Sequence, residues 1–198
     1  MVRLNAVRLC SALKRKESSG SAQIIQVSAS TLGDYNPVSY DIGVSVMHNV
    51  LSATLKLKDH PDDEDARGII FYGASLSTSG RLGLGKKENY AYKIYELDFI
   101  SEILYGAAYR KSLTSLFPQF LKIMVRYYRD DIYRYFKDVF GFKGSIEESS
   151  KRMKEVFESM GVDMCFGGEV TRDTIKSLNI DSSLSINDIT EMIRGCMR

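Results

Sequence analysis

The chain has 198 residues, 44% of them hydrophobic and 26% charged, and a formal net charge of +2. This composition is typical of a globular protein and excludes a largely disordered chain, and the length is sufficient for one compact domain with its own core. The net charge is too small for the total alone to indicate nucleic-acid binding. No run of residues reaches the roughly 18 consecutive apolar positions of a membrane-spanning helix.

The N-terminal arm, residues 1–21, is predicted to be basic and flexible. Its first 16 residues contain five cations and no acid, and a Ser/Gly joint follows at residues 18–21. Apolar side chains recur at helical spacing, at Val2, Ala6, Leu9 and Leu13. An arm of this kind suits an anionic membrane or a phosphate backbone, and a solvated tail is the alternative. The residues expected to contact an anionic surface are Arg3, Arg8, Lys14, Arg15 and Lys16.

The next part of the chain, up to residue 99, is predicted to contain a small antiparallel sheet with one packed helix. A short strand is expected at residues 23–28 and an amphipathic helix at 42–58. An exposed acidic loop at 59–65 follows, without the ligand spacing and central glycine of a calcium loop. Residues 68–78 and 90–99 are rich in β-formers, and the second segment alternates cleanly, so we predict two antiparallel strands.

A glycine-rich basic connection joins these two strands. The segment from Gly80 to Lys86 has the spacing of a phosphate-binding P-loop, but Lys87 stands where a serine or threonine would hold magnesium. A strand is expected next, whereas a P-loop leads into a helix. We therefore prefer a basic hairpin tip, or a plain flexible loop, to a nucleotide site. The expected anionic-surface contacts here are Arg81, Lys86 and Lys87.

The C-terminal half, residues 100–198, is predicted to be mostly helical. Ser145 opens a capping box for the third of its helices, and Ser185 caps the last. The run at 126–137 interleaves aromatic residues and cations, and helical spacing favours a core helix with a charged outer face over a base-stacking platform. The predicted helices lie at residues 100–116, 118–142, 145–160, 171–178 and 185–193.

No catalytic constellation is evident in the sequence. The two histidines, His48 and His60, lie on a predicted helix and in the acidic loop, and no nucleophile motif surrounds Cys10, Cys165 or Cys196. The cysteines lack the paired spacing of a zinc site, and their odd number does not suggest a disulfide framework. We therefore predict no catalytic residue, no metal, no cofactor and no enzymatic activity.

The order of these elements resembles the matrix proteins of rhabdoviruses. Residues 39–80 and the strand beginning Tyr90-Ala91-Tyr92-Lys93 are most similar to them. The proline-rich tyrosine motif of many such proteins is absent, and residues 37–40 are only a fragment of it. The resemblance implies a virion structural protein that self-associates and bridges ribonucleoprotein to a membrane.

These observations lead to one combined prediction. The fold is α+β: an arm at residues 1–21, then a single domain at 22–198 with a sheet-containing part (22–99) and a helical part (100–198). The function is that of a non-enzymatic matrix-type protein, and the alternative is an intracellular adaptor or viral accessory protein with a helical binding surface. Expected partners are an anionic membrane or ribonucleoprotein, further copies of the chain and host proteins. The expected location is the virion and the host-cell cytoplasm, at a membrane or in the nucleus, without secretion.

Overall fold

The computed structural model describes residues 18–87 and 89–197, and the regular elements of this part of the chain are all helices, with no strand beyond an isolated β-bridge between Phe166 and Met197. Two 3-10 helices, Arg81–Gly83 and Tyr90–Lys93, precede α4. The α-helices are α1 (Ser18–Thr31), α2 (Pro37–Asp59), α3 (Glu64–Thr78), α4 (Ile94–Tyr105), α5 (Tyr109–Met124), α6 (Arg129–Phe140), α7 (Ile146–Ser159), α8 (Arg172–Ser177) and α9 (Ile186–Arg194).

The predicted α+β fold is therefore wrong, beginning with the strand at residues 23–28, which lies within α1. This helix packs against α2, α3 and α5, so Ile24, Ile25 and Val27 are buried on different sides of its axis. A helix that is enclosed by neighbours is apolar all round and loses the periodicity that marks an exposed helix. The first turn of α1 also occupies the predicted flexible joint at residues 18–21.

The two predicted hairpin strands are also helical, as α3 and as the 3-10 helix that leads into α4. In α3 the buried positions Ile70, Gly73 and Ser77 recur at helical spacing, and the Asp63 side chain accepts a hydrogen bond from the Ala66 amide at 2.8 Å. That N-cap satisfies a free backbone donor at the start of the helix. Helical burial and capping thus prevail over the local content of β-formers.

Several helices agree with the sequence prediction. α2 covers the predicted helix at residues 42–58, although its N-cap is Asn36. Ser145 caps α7 and Ser185 caps α9, in each case by accepting a backbone amide hydrogen bond. Pro118, predicted to open a helix, instead lies inside α5, and the Ser150 hydroxyl donates to its carbonyl at 2.8 Å.

The core is built around α1 and an aromatic cluster on α5 and α6. Phe117, Phe120 and Tyr135 are fully buried, and the Phe117 and Tyr135 rings meet edge to face with centroids 6.4 Å apart. The Ser28 and Tyr135 hydroxyls are 2.5 Å apart, which satisfies both groups inside the core. One core therefore joins the two halves of the described chain.

Glycines bring α1, α2 and α3 into close contact. A Cβ at Gly43 of α2 would overlap the Thr31 side chain of α1, and one at Gly73 of α3 would lie 2.5 Å from Val50. Such contacts require the absence of a side chain rather than a special backbone conformation. Within the described residues, no helix is long and apolar enough to cross a bilayer.

The aromatic and basic run at 126–137 takes part in packing rather than forming an open platform. Arg126 reaches α9, where its guanidinium lies 2.7 Å from Glu191 and 3.2 Å from Asp188. The Tyr128 ring stacks on Tyr90 with centroids 3.7 Å apart. The segment therefore packs against α9 and against the 3-10 helix that precedes α4.

Candidate functional site: a tyrosine-lined cleft

Polar side chains from three helices meet in a partly exposed cluster, which we call the cleft. α1 supplies Gln26, α4 supplies Tyr95 and Asp98, and α5 begins at Tyr109. All four are only partly buried, and Tyr109 is 43% exposed. Tyr95 and Asp98 are three residues apart on a helix and so face the same side.

A hydrogen bond orients the Tyr109 hydroxyl. The Gln26 side-chain amide donates to the Tyr109 oxygen at 2.9 Å, and the Tyr95 hydroxyl interacts with the same group. A phenol oxygen has one proton of its own to donate. Because the Gln26 contact uses Tyr109 as an acceptor, the Tyr109 proton can be donated to another group.

Both phenols are hydrogen-bond donors at neutral pH. Burial raises the pKa of Tyr95, and the nearby Tyr109 and Tyr92 rings raise it further. Burial also raises the pKa of Tyr109, while the hydrogen bonds from Gln26 and Tyr95 partly oppose this rise. The cleft therefore presents protonated hydroxyls and no base among its tyrosines.

Acceptor atoms without partners lie beside these donors. The Asp98 Oδ1 atom and the Gln23 Oε1 atom are buried and make no hydrogen bond with the described residues. Gln23 lies about one helical turn from Gln26 on α1. Burial raises the pKa of Asp98, Glu102 adds to the rise, and the Ser112 hydroxyl offsets part of it. The Ser112 hydroxyl is also buried without a partner among the described residues. The cleft thus offers the Tyr109 and Ser112 hydroxyls as donors together with buried acceptors, the complement of a hydroxyl group.

The pKa shift of Asp98 predicts a pH-dependent effect on stability. A raised pKa means that the folded protein holds this proton more tightly than the unfolded chain, so the contribution is favourable below the ordinary value of 3.8 and is lost as pH rises through the folded pKa. We expect Asp98→Asn to increase the free energy of unfolding at neutral pH and to lose this advantage in acid. Denaturant titrations across pH, with the exposed Asp59→Asn variant as control, test this. An increase in the free energy of unfolding that is equal at every pH would contradict the prediction.

Exposed apolar side chains lie on the same helical segment as Tyr95 and Asp98. Tyr92, Phe99 and Ile103 lie along one stripe of the 3-10 helix and α4 and are all exposed. The Tyr92 and Tyr95 ring centroids are 6.0 Å apart. A ligand with a polar head and a short alkyl chain would match this arrangement of polar floor and apolar rim.

The predicted anionic-surface residues of the glycine-rich segment do not gather at this cleft. Arg81 and Lys87 are exposed. Lys86 is turned inward, where its ammonium group donates to the backbone carbonyls of Ser30 and Thr31 at the end of α1, and burial lowers its pKa to about 8. Lys86 therefore caps a helix in this structure.

The remaining predicted contacts lie outside the described residues. The five positions are Arg3, Arg8, Lys14, Arg15 and Lys16. Their role at an anionic surface, like that of Arg81 and Lys87, stays a prediction. Over residues 18–87 and 89–197, no three His, Cys, Asp or Glu side chains are grouped as a metal site would require.

Sequence reasoning missed all four residues of the cleft. Tyr95 and Asp98 lay in a predicted strand, where positions three apart face opposite sides. Gln26 lay in another predicted strand, and Tyr109 fell within a predicted helix without any motif. A helical interpretation of residues 90–105 would have placed Tyr95 and Asp98 together.

Comparisons with known proteins identify the fold. No protein-family model and no curated protein sequence matches the chain. The NADH-dependent butanol dehydrogenase A of Thermotoga maritima superposes with a TM-score of 0.77 at 18% identity, over 91% of this chain and 52% of that chain. The E. coli aldehyde reductase YqhD, in a form free of substrate and cofactor, superposes with a TM-score of 0.77 at 15% identity, over 92% of this chain and 53% of that chain. The chain has the fold of about half of these proteins.

These similarities overturn the functional predictions made from sequence. The structural relatives are a dehydrogenase and a reductase, not viral matrix proteins, so the resemblance to rhabdovirus matrix proteins and the matrix-type function are wrong. The prediction of no enzymatic activity and the predicted membrane and ribonucleoprotein partners are contradicted by the same finding, and the adaptor alternative gains no support. The error has a physical source, since the resemblance depended on strands that are helices here.

The glycine-rich segment and the helix after it do not fit the pyrophosphate of a nicotinamide cofactor. Pyrophosphate is usually held at a glycine-rich turn that opens a helix, but Lys86 of the glycine-rich segment faces α1. The helix that follows, α4, has Lys93 at its N-cap and no side-chain cap there. The chemistry of the cleft is therefore derived from its own side chains.

Proposed function

We propose that the cleft binds the oxygen of a small alcohol or aldehyde, and that the chain is the substrate-holding helical half of an oxidoreductase. The observation that carries this proposal is the hydrogen bond from Gln26, which uses the Tyr109 oxygen as an acceptor and leaves the Tyr109 proton available to a ligand. The names of the structural relatives, a butanol dehydrogenase and an aldehyde reductase, support the same class of substrate.

Each side chain has a definite part in this proposal. Tyr109 donates a hydrogen bond to the substrate oxygen, and the hydrogen bond from Gln26 holds Tyr109 in the donating orientation. Reduction of an aldehyde places negative charge on that oxygen, and a preorganised donor stabilises such charge. The Asp98 carboxyl oxygen accepts a hydrogen bond from a bound hydroxyl group, which distinguishes an alcohol from an alkane.

The nicotinamide cofactor would be held elsewhere under this proposal. The chain spans about half the length of the solved relatives, and a nucleotide-binding domain in a longer polypeptide or a separate chain would supply that part. The exposed apolar stripe of Tyr92, Phe99 and Ile103 borders the cleft. A domain seated there would close the cleft and exclude water from the substrate.

Binding of butan-1-ol tests the proposal with the chain as it exists. We expect saturable binding, seen as shifts of the tyrosine ring signals in NMR spectra. Tyr109→Phe should raise the Kd by about three- to tenfold, the effect of losing one hydrogen bond of roughly 0.5–1.5 kcal/mol. Tyr72→Phe, at a tyrosine that is 65% exposed and remote along the chain from the cleft helices, is the matched control. Absence of saturable binding, or equal effects of both variants, would overturn the proposal.

A further inference from the structure

A groove runs between α2 and α3 on the surface of the bundle. Its volume is about 540 Å³, and Val46 and Val50 of α2 lie opposite Gly68, Ile69 and Tyr72 of α3. Ile69 is 41% exposed and Tyr72 is 65% exposed. A side chain at Gly68 would meet nothing within 4 Å, so the groove is open there. These residues leave apolar surface without a partner in the described structure.

The rim of the groove is acidic at one end. Glu64 and Asp65 line it and form the first turn of α3. Neighbouring carboxylates are engaged, since Asp63 lies 2.6 Å from Lys56 and Asp62 lies 3.5 Å from Arg67. Glu64 and Asp65 are exposed and make no salt bridge with the described residues. They favour a basic occupant.

The N-terminal arm has the complementary chemistry. Its first 16 residues contain five cations and no acid. Its apolar residues recur at helical spacing, so one side of the segment can be apolar while cations lie elsewhere around it. The apolar positions are Val2, Ala6, Leu9 and Leu13.

The arm is joined to the bundle beside α2, the helix that forms one wall of the groove. A Cβ at Gly20 would overlap Thr54, so the first turn of α1 lies against α2 at that residue. Thr54 is one helical turn from Val50, a rise of about 6 Å. Sixteen residues span about 24 Å as a helix and more when extended, which is sufficient to reach back along the groove.

We propose that residues 1–16 of this chain dock into the groove between α2 and α3. Their apolar side contacts Ile69 and Tyr72, and their cations lie beside Glu64 and Asp65. The contact is intramolecular and does not involve the cleft. Its test is therefore independent of the test of the proposed function.

A spin label on Cys10, inside the arm, tests the docking in the full chain. A Cys165→Ser background leaves Cys10 as the accessible thiol, because Cys196 is buried. At low salt we expect strong broadening of the methyl NMR signals of Val46, Val50 and Ile69, which weakens as salt is added. Mixing the spin-labelled protein with protein that carries no spin label should leave the broadening within each spin-labelled molecule unchanged, since the contact is within one chain.

Charge reversal supplies the matched comparison. Glu64→Lys with Asp65→Lys should abolish the broadening, whereas Glu147→Lys with Glu148→Lys, at the first turn of α7, should leave it intact. Both pairs place cations at a helix N-terminus and so carry a similar dipole penalty. No broadening at low salt, equal effects of the two pairs, or transfer of the broadening to unlabelled molecules would overturn the proposal. The last result would indicate a second copy as the occupant.

Discussion

Phe117→Ala is expected to lower the free energy of unfolding by about 3–5 kcal/mol, the range for emptying a large buried aromatic site. Phe117 is fully buried, with its ring centroid 6.3 Å from Phe120 and 6.4 Å from Tyr135. Tyr135 also meets Ser28 of α1, so a cavity here weakens contacts of three helices. Urea titration followed by circular dichroism measures the loss.

The matched control is Phe71→Ala on α3. Phe71 is 47% exposed, so the same truncation should change stability by about 0.5 kcal/mol or less. Similar losses for the two variants would show that the aromatic cluster is not the core. A change confined to the slope of the titration would point instead to an altered unfolded state.

Gly43→Ala is expected to destabilise the protein by about 1–3 kcal/mol, as overpacking of a tight interface does. The added methyl group would overlap Thr31. Thr31 has little freedom to move, because it is buried and its hydroxyl donates to the Val27 carbonyl at 2.7 Å. Thermal and urea unfolding measure the change.

Gly68→Ala is the control with the opposite sign. Gly68 lies within α3, and a Cβ there meets nothing within 4 Å. Replacing an exposed helical glycine by alanine should stabilise the fold by about 0.5–1 kcal/mol, because the unfolded chain loses freedom. If both variants stabilise the protein, α1 and α2 are not in the contact described at Gly43.

The parts of the fold that could be predicted are those with local signals. Ser145 and Ser185 precede helical apolar patterns, and each accepts a backbone amide as a cap should. The amphipathic face of α2 is likewise visible in the sequence. α1 carries no such signal, because Ile24, Ile25 and Val27 are apolar on every side of a central helix.

Two periodicities compete in the segment that became α4. Tyr90, Tyr92 and Ile94 alternate as in a strand, yet the buried positions Ile94, Leu97 and Ile100 follow helical spacing. Only tertiary packing decides between these patterns. The cleft could not be predicted for the same reason, since it forms where α1, α4 and α5 meet, and no local motif marks that contact.

The expected location of the protein in the cell stays a prediction.

The most direct measurement is a crystal structure of the protein soaked with butan-1-ol. The account predicts the alcohol oxygen within about 2.5–3.0 Å of the Tyr109 hydroxyl, with Gln26 still donating to Tyr109 and the alkyl chain directed toward Tyr92 and Phe99. Butan-1-ol bound elsewhere, with the cleft holding only water at saturating alcohol, would contradict it.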